Sequence, residues 1–449
     1  MSVTTIQIVG GGLAGSEAAF QLAERGHQVT LHEMRPVRGT AAHKTDRLGE
    51  LVCSNTFKST EVSNAHGLLK AEMRALGSVV LWAADQARVP GGSALAVDRE
   101  LFANALDARV RAHENITVVC DEVSAIPDVG IVATGPLTSD ALAESIRVRL
   151  GVASLAFYDS IAPVVSYESL DQSLLFRASR WDKETMDGAA AEGGAYLNAA
   201  FDKEEYEAFI DALAAGDQFT AHEFDAVPYF EGCMPAEEMV KRGRETLRFG
   251  PMKPIGLRDP RTGRRPWAVL QLRQEDRAGR MWNLVGFQTR LRISEQQRVF
   301  RMIPGLAEAE FLRYGSIHRN SYLNAPATLS PHLALPDAPL TLFAGQLTGV
   351  EGYTESSATG LLAGINLSRL LRGEDPVIPP PTTMLGALYR YLREADPKHF
   401  QPMNANYGLV DDLPNPPRDK MLRKQMMADR ALEEQAAWIE RTSLAGVQV

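Results

Sequence analysis

The sequence predicts an α/β protein: a Rossmann-like, discontinuous nucleotide-binding domain with an α+β region inserted into it. Three stretches predict this. Residues 5–33 read as strand, glycine turn, helix, strand and acid. Residues 131–139, IVATGPLTS, read as the end of a middle strand. Residues 341–370, TLFAGQLTGVEGYTESSATGLLAGINLSRL, read as a late strand, a glycine-studded loop and a small-residue helix.

Taken in order, Ile6–Val9 is a short β-branched run of the kind buried in parallel sheets. Gly10, Gly11, Gly12, Leu13, Ala14 and Gly15 follow and contain a G-x-G-x-x-G. Gly10 allows a tight turn, Gly12 lets backbone approach a pyrophosphate, and Gly15 lets helix and strand pack closely. Ala18, Ala19, Leu22 and Ala23 lie at helical spacing, and Gly26 is a helix stop. A second strand ends at Glu33, placed to accept from ribose hydroxyls, while the helix N-terminus offers free N–H groups to phosphate. Ala133, Thr134 and Gly135 form the "ATG" end of the middle strand. Gly345, Gly349, Gly352 and Tyr353 belong to the closing segment, which resembles that of FAD enzymes. One nucleotide site assembled from three distant segments fits FAD better than NAD. No second G-x-G-x-x-G stands in a strand–helix context.

Residues 1–155 and 331–375 are expected to form the FAD domain, with 156–330 as the inserted substrate domain. The insert holds strand-like PVVSYESL (163–170) and WAVLQLRQE (267–275). The stretch 376–449 is read as a Pro-rich linker followed by a helical tail packed on the body. Hydrophobic residues at 45% and charged residues at 23% exclude disordered and collagen-like classes. Three widely spaced cysteines, Cys53, Cys120 and Cys233, make neither a disulfide framework nor a metal site. No apolar run is long enough to span a bilayer and no secretory signal is visible, so a cytoplasmic protein with no membrane and no metal partner is expected. The net charge, 47 − 56 = −9, leaves room for a local basic patch, and RDPRTGRRP (258–266) is one. Its Arg261, Arg264 and Arg265 are candidate phosphate contacts, although Asp-Pro-Arg-Thr-Gly is also ordinary turn chemistry.

Cys53 sits where an apolar run breaks into polar residues, in GELVCSNTFKS (49–59). Lys44, Arg47 and Lys58 lie near it in sequence, a cationic setting that activates a thiol. Cys233 is flanked instead by Glu231, Glu237 and Glu238. Cys120, in ITVVC, reads as a small apolar strand residue.

Longer strings carry a more specific resemblance. They include HEMRP, HKTDRLGELVCSNTFKS, SNAHGLLKAEMR, ARVPGGSALAVDRE, RFGPMKPIGL, LRQEDRAGRMWNLVGFQT, HRNSYLNAP and GVEGYTESSATGLLAG. Over nearly its whole length the chain resembles the bacterial FAD- and folate-dependent tRNA uracil-5 methyltransferases. The resemblance implies bound FAD, methylenetetrahydrofolate as one-carbon donor, NAD(P)H as reductant and the T-loop uridine of tRNA as target. It also implies that Cys53 and Cys233 are the functional cysteines. The alternatives are another FAD-dependent tRNA-modifying enzyme or a small-molecule FAD oxidoreductase. The chemistry is coherent. A thiolate adding to carbon 6 of uracil makes carbon 5 nucleophilic, and a methylene donor delivers carbon one oxidation level above methyl, so a hydride must follow. Which cysteine attacks is left open by the sequence.

Overall fold

The structure, a computed structural model, describes residues 5–40, 42–151, 155–182, 194–219 and 234–444. Its first lobe is built on a six-stranded sheet in the order Ala334–Leu335, Ala338–Phe343, Gly130–Val132, Ile6–Val9, Val29–Glu33, Ile116–Cys120. All neighbours run parallel except the first pair. Strand alternation divides the apolar residues between two faces. Ile6, Ile8, Ile131 and Leu342 enter the large core, and Val9, Val132 and Phe343 enter a smaller one against the Asp140–Leu150 helix. From Ile6–Val9 the chain first builds outward to one side, then returns to build the other. The order therefore reverses between Ile6–Val9 and Gly130–Val132, and the crevice beyond their carboxyl ends is where such sheets bind ligands.

Two helices cover the large-core face, Leu13–Ala23 and Tyr353–Leu371. They cross in backbone contact. A Cβ on Gly360 would lie 2.2 Å from the Ala14 carbonyl oxygen, and one on Gly364 would lie 2.8 Å from that of Ala18. Two buried carboxylates cap other helices at a distance. Glu17 accepts from the N–H groups of Val79 and Val80 and from the Ser78 hydroxyl. Glu72 accepts from those of Met384 and Leu385. The Lys420–Arg441 helix returns to this lobe through Met427, Ala428, Ala431 and Trp438, and the Gln435 amide donates to the Glu72 carbonyl at 2.8 Å.

The second lobe is an antiparallel sheet in the order Leu175–Ala178, Tyr196–Phe201, Ala268–Gln274, Met281–Leu284, Val164–Ser166, Phe311–Arg313. It has its own core around Trp282, Phe209, Phe287 and Phe300. The strands Leu155–Ile161 and Ser316–Tyr322 pair with each other where the chain enters and leaves this lobe. Two readings are corrected here. The strand in PVVSYESL stops at Ser166, because Tyr167–Ser169 turns into a 3-10 helix. Cys120 does lie in a strand, but at the solvent-facing end of the edge strand, and it is exposed rather than packed. Among the described residues no helix is long and apolar enough to cross a membrane.

Candidate functional site

The crevice at the strand ends is a deep cleft. The first turn contributes Gly10, Gly11, Gly12, Leu13 and Ala14, and the second strand ends on Glu33. Ala133, Thr134 and Gly135 face them, and Gly345 and Tyr353 close the cleft from the late segment. Gly10 and Gly15 meet the backbone contacts that a turn and a close packing require. Gly10 has φ +105° and lies against the backbone of Ala133 and Thr134. A Cβ on Gly15 would meet the Gly10 oxygen at 1.8 Å, so Gly15 serves packing and stands back from the cleft. A Cβ on Gly12 would meet no atom within 4 Å. The Leu13–Ala23 helix starts there with no side-chain cap and no acid in its first turn, leaving its N–H groups for an anion. These residues fit a dinucleotide.

Glu33 is buried; it accepts from Gly11 N–H at 3.1 Å and from Arg35 Nε at 2.8 Å. Burial pushes its carboxyl up, but the hydrogen bond and charge of Arg35 outweigh that and hold it below the usual range. His43, which the sequence reading passed over, lines the same cleft. Burial and the Arg35 charge push its imidazole down to about 4, so it is a neutral ring at physiological pH.

A second chamber adjoins the cleft. Val52, Tyr353 and Ser356 wall both. Cys53, half-buried, opens into this chamber together with Lys58, Asn283, Gln288 and Gly352. Tyr353 stands at the boundary. Its ring packs on Phe57, with centroids 5.6 Å apart. Its hydroxyl accepts from the Cys53 N–H at 2.8 Å and donates to the Ser54 carbonyl at 2.9 Å. Burial pushes the phenol well above its usual range, so it keeps the proton it donates. Of the three cations near the thiol in sequence, one shares its chamber. Lys58 shares its chamber, but Arg47 pairs with Glu100 and lines, with Lys44, Arg99 and Arg313, a neighbouring cleft. Arg99 and Arg313 are the groups that reach the Cys53 carbonyl. They come from segments 46 and 260 residues downstream, which sequence proximity does not reveal.

The remaining expected residues fall elsewhere. Gly349 (φ +90°) abuts the Phe400 ring, at 2.4 Å from a built Cβ, and turns the loop rather than lining the cleft. Gly352 lines the thiol chamber. Arg261, Arg264 and Arg265 occupy an exposed turn closed by the Gly263 N–H to the Asp259 carbonyl. There Arg261 is held by the Asp259 carboxylate at 2.7 Å. Cys233 lies outside the described residues.

Glu355, in the first turn of the Tyr353–Leu371 helix, ties that turn to the segments carrying Ala405 and His66. It is buried, accepts from the Ala405 N–H at 2.9 Å and lies 3.1 Å from His66 Nδ1. Burial pushes its carboxyl up, but the Lys58 charge and His66 outweigh it and bring the pKa down to about 2.

A family profile described as glucose inhibited division protein A matches residues 5–375. The methylenetetrahydrofolate–tRNA-(uracil-5-)-methyltransferase TrmFO of Geobacter sulfurreducens is 54% identical over 436 residues, spanning 97% of this chain and 98% of that one. Its counterpart from Brevibacillus brevis is 50% identical over 434 residues, 96% of this chain and 98% of its own. Among solved structures, the form II crystal of Aquifex aeolicus GidA aligns with a TM-score of 0.68 at 16% identity, covering 97% of this chain and 75% of that chain, a likeness of fold.

Two outcomes follow from the geometry. Gly12→Ala adds a methyl to open space, so the apoprotein keeps its stability to within about 1 kcal/mol, while the approach of a pyrophosphate is blocked. Titration with FAD should show affinity down by at least about tenfold, and unchanged affinity would refute the cradle. For Glu355 the folded pKa lies below the unfolded value of 4.5, so its stabilisation is present above pH 4.5 and is lost as pH falls towards 2. Glu355→Gln should cost about 3 kcal/mol at pH 7. Urea unfolding at pH 7, 5 and 4 should show the gap to wild type narrowing below pH 4.5; a gap independent of pH contradicts the assignment.

Proposed function

The chain belongs to the methylenetetrahydrofolate–tRNA-(uracil-5-)-methyltransferase family, and from that premise we propose how its site works. It is an FAD-dependent enzyme that methylates carbon 5 of uracil in tRNA with carbon from methylenetetrahydrofolate. Our reading adds that the target is the T-loop uridine, giving ribothymidine, that NAD(P)H supplies the electrons, and that the reaction takes place in the cytoplasm. The observation that carries it is the wall shared by two cavities: Cys53 opens into a chamber separated from the nucleotide cleft by Val52, Tyr353 and Ser356.

Reduced FAD, when bound, supplies the hydride that takes the transferred carbon from methylene to methyl. The Leu13–Ala23 helix N-terminus and Gly12 receive its phosphates, and Glu33 accepts from a ribose hydroxyl. The thiolate of Cys53 or Cys233 adds to carbon 6 of uracil, breaking the 5,6 double bond and making carbon 5 nucleophilic. After carbon 5 has taken the one-carbon unit it gives up its proton to a base, and the carbon–sulfur bond breaks to restore the ring and the thiol. Lys58, Asn283 and Gln288 line the chamber with polar groups suited to the carbonyls of a pyrimidine. The role of Cys233 rests on its string FEGCMPAEE alone.

Transfer of labelled methylene from the folate into tRNA tests the reading. Cys53→Ala and Cys233→Ala should each lose roughly 10²-fold or more in rate while keeping FAD, and Cys120→Ser should stay active. With 5-fluorouracil-substituted tRNA, carbon 5 has no removable proton, so the adduct should persist as a protein–RNA band. That band should vanish in only one of the two cysteine variants; full activity in both refutes thiol catalysis. Arg264 and Arg265 are proposed as phosphate contacts, Arg261 being tied to Asp259. Neutralising both should lower the slope of log K against log salt by about 1.4–1.8, and an unchanged slope returns the turn to solvent.

A further inference from the structure

The loop that carries Cys53 is held from both lobes at once. From the nucleotide lobe, Arg99 opens the Arg99–Arg111 helix and donates through Nη1 to the Leu51 carbonyl at 2.6 Å and through Nη2 to the Cys53 carbonyl at 2.7 Å. Tyr353 accepts from the Cys53 N–H at 2.8 Å. From the insert, Arg313 donates to the same Cys53 carbonyl at 3.4 Å. Arg273 Nε donates to Asn55 Oδ1 at 2.8 Å, and the Asn55 amide donates to the carbonyls of Gln274 and Val97, each at 2.9 Å. Both backbone polar groups of Cys53 therefore have partners, and those partners come from different lobes.

One carboxylate joins the two sides. Glu275, at the end of the insert's Ala268–Gln274 strand, is 3% exposed. It meets Arg99 in a two-point fork, Nε to Oε2 at 2.5 Å and Nη2 to Oε1 at 3.3 Å. It is the acid among three guanidiniums, those of Arg99, Arg273 and Arg313. Burial pushes its carboxyl up, but the Arg99 charge, with those of Arg313 and Arg273, wins and keeps it ionised below the usual range.

We propose that Arg99 and Glu275 are positioning residues for the thiol: their ion pair clamps the Cys53 loop between the lobes, so the insert's sheet must be seated on the nucleotide lobe for Cys53 to be presented to the chamber. This rests on Cys53 being a working thiol and adds what positions it. Glu275 orients the planar Arg99 fork so that its remaining N–H groups point at two loop carbonyls. Without that carboxylate, three like charges crowd one another with no acid between them, Arg99 turns towards solvent, and the Cys53 carbonyl keeps only the long contact from Arg313. Neither group touches the reacting atoms; both act through the backbone of residues 51–53.

The test uses the full-length holoenzyme in a Cys120→Ser background. Glu275→Gln preserves shape and removes the charge. FAD content and the KM for tRNA should stay within about twofold, while kcat falls by at least about tenfold. The rate at which iodoacetamide alkylates Cys53, read on its peptide by mass spectrometry, should change by at least about threefold. Glu275→Asp, which keeps the charge, should recover part of the kcat and bring the alkylation rate back towards that of the wild type. A Glu275→Gln enzyme whose Cys53 alkylates at the wild-type rate overturns the clamp whatever its kcat, and so does altered alkylation with wild-type kcat. If Glu275→Gln does not fold, Arg99→Lys keeps a cation beside Glu275 but cannot fork to both carbonyls, and the same two readouts decide. Alkylation needs no methyl transfer. A chain showing the altered alkylation but methylating no tRNA in its wild-type form would sink the functional reading and leave the loop geometry standing.

Discussion

The close crossing of the Leu13–Ala23 and Tyr353–Leu371 helices is the constraint on which the rest of the site depends. Gly360 and Gly364 let the second helix rest on the backbone at Ala14 and Ala18. Wider spacing would separate Gly345 from Ala14, whose side chain lies 3.0 Å from a built Cβ on that glycine. The N-termini of both helices then end at the same crevice, although more than 300 residues part them in the chain. That crossing closes the nucleotide cleft and also places Tyr353 over the thiol loop. Cofactor site and thiol chamber are thus two consequences of one backbone contact.

Five buried carboxylates fall into two groups according to their partners. Glu17 and Glu72 accept from neutral N–H and hydroxyl donors, and burial pushes them up to about 7 and about 8. They hold helices together. Glu33, Glu275 and Glu355 each face a cation, Arg35, Arg99 and Lys58 respectively, and all three are held below the usual range. Glu33 lines the cleft, Glu275 holds the arginine that grips the thiol loop, and Glu355 lies beneath the helix turn whose Gly352, Tyr353 and Ser356 line the chamber. At these three places a forked or paired charge restrains direction more strongly than a neutral hydrogen bond does.

The two lobes divide the work accordingly. The parallel sheet supplies strand ends and a free helix N-terminus, which suit a phosphate-bearing cofactor. The antiparallel lobe supplies the wall opposite, through Arg273 and Asn283 of its sheet and Gln288 of the loop that follows. The thiol loop lies between them, with its backbone bonded to both.

The sequence by itself determined the nucleotide half. Glycine positions, strand composition and the acid at Glu33 are local signals: Gly10, Gly12 and Gly15 are needed by a turn, an approach and a packing contact all within one supersecondary unit. The polar edge at Cys53 was legible for the same reason, since a break in an apolar run is visible in consecutive residues. The tertiary structure alone decided the thiol's surroundings. Arg99 and Glu275 stand within strings that carry the family resemblance, but nothing in those strings pairs them with each other or with Cys53. Lys44 and Arg47, closer in sequence, line the same neighbouring cleft as Arg99, Glu275 and Arg313, yet it is Arg99 and Arg313 that reach the Cys53 carbonyl. It also decided that Gly349 turns a loop against Phe400 and that Cys120 faces solvent at a sheet edge. The physical reason is range. Turn and strand preferences act over a few residues, whereas a desolvated charge chooses its partner from whatever the fold brings within about 4 Å, and here that partner lies on another lobe.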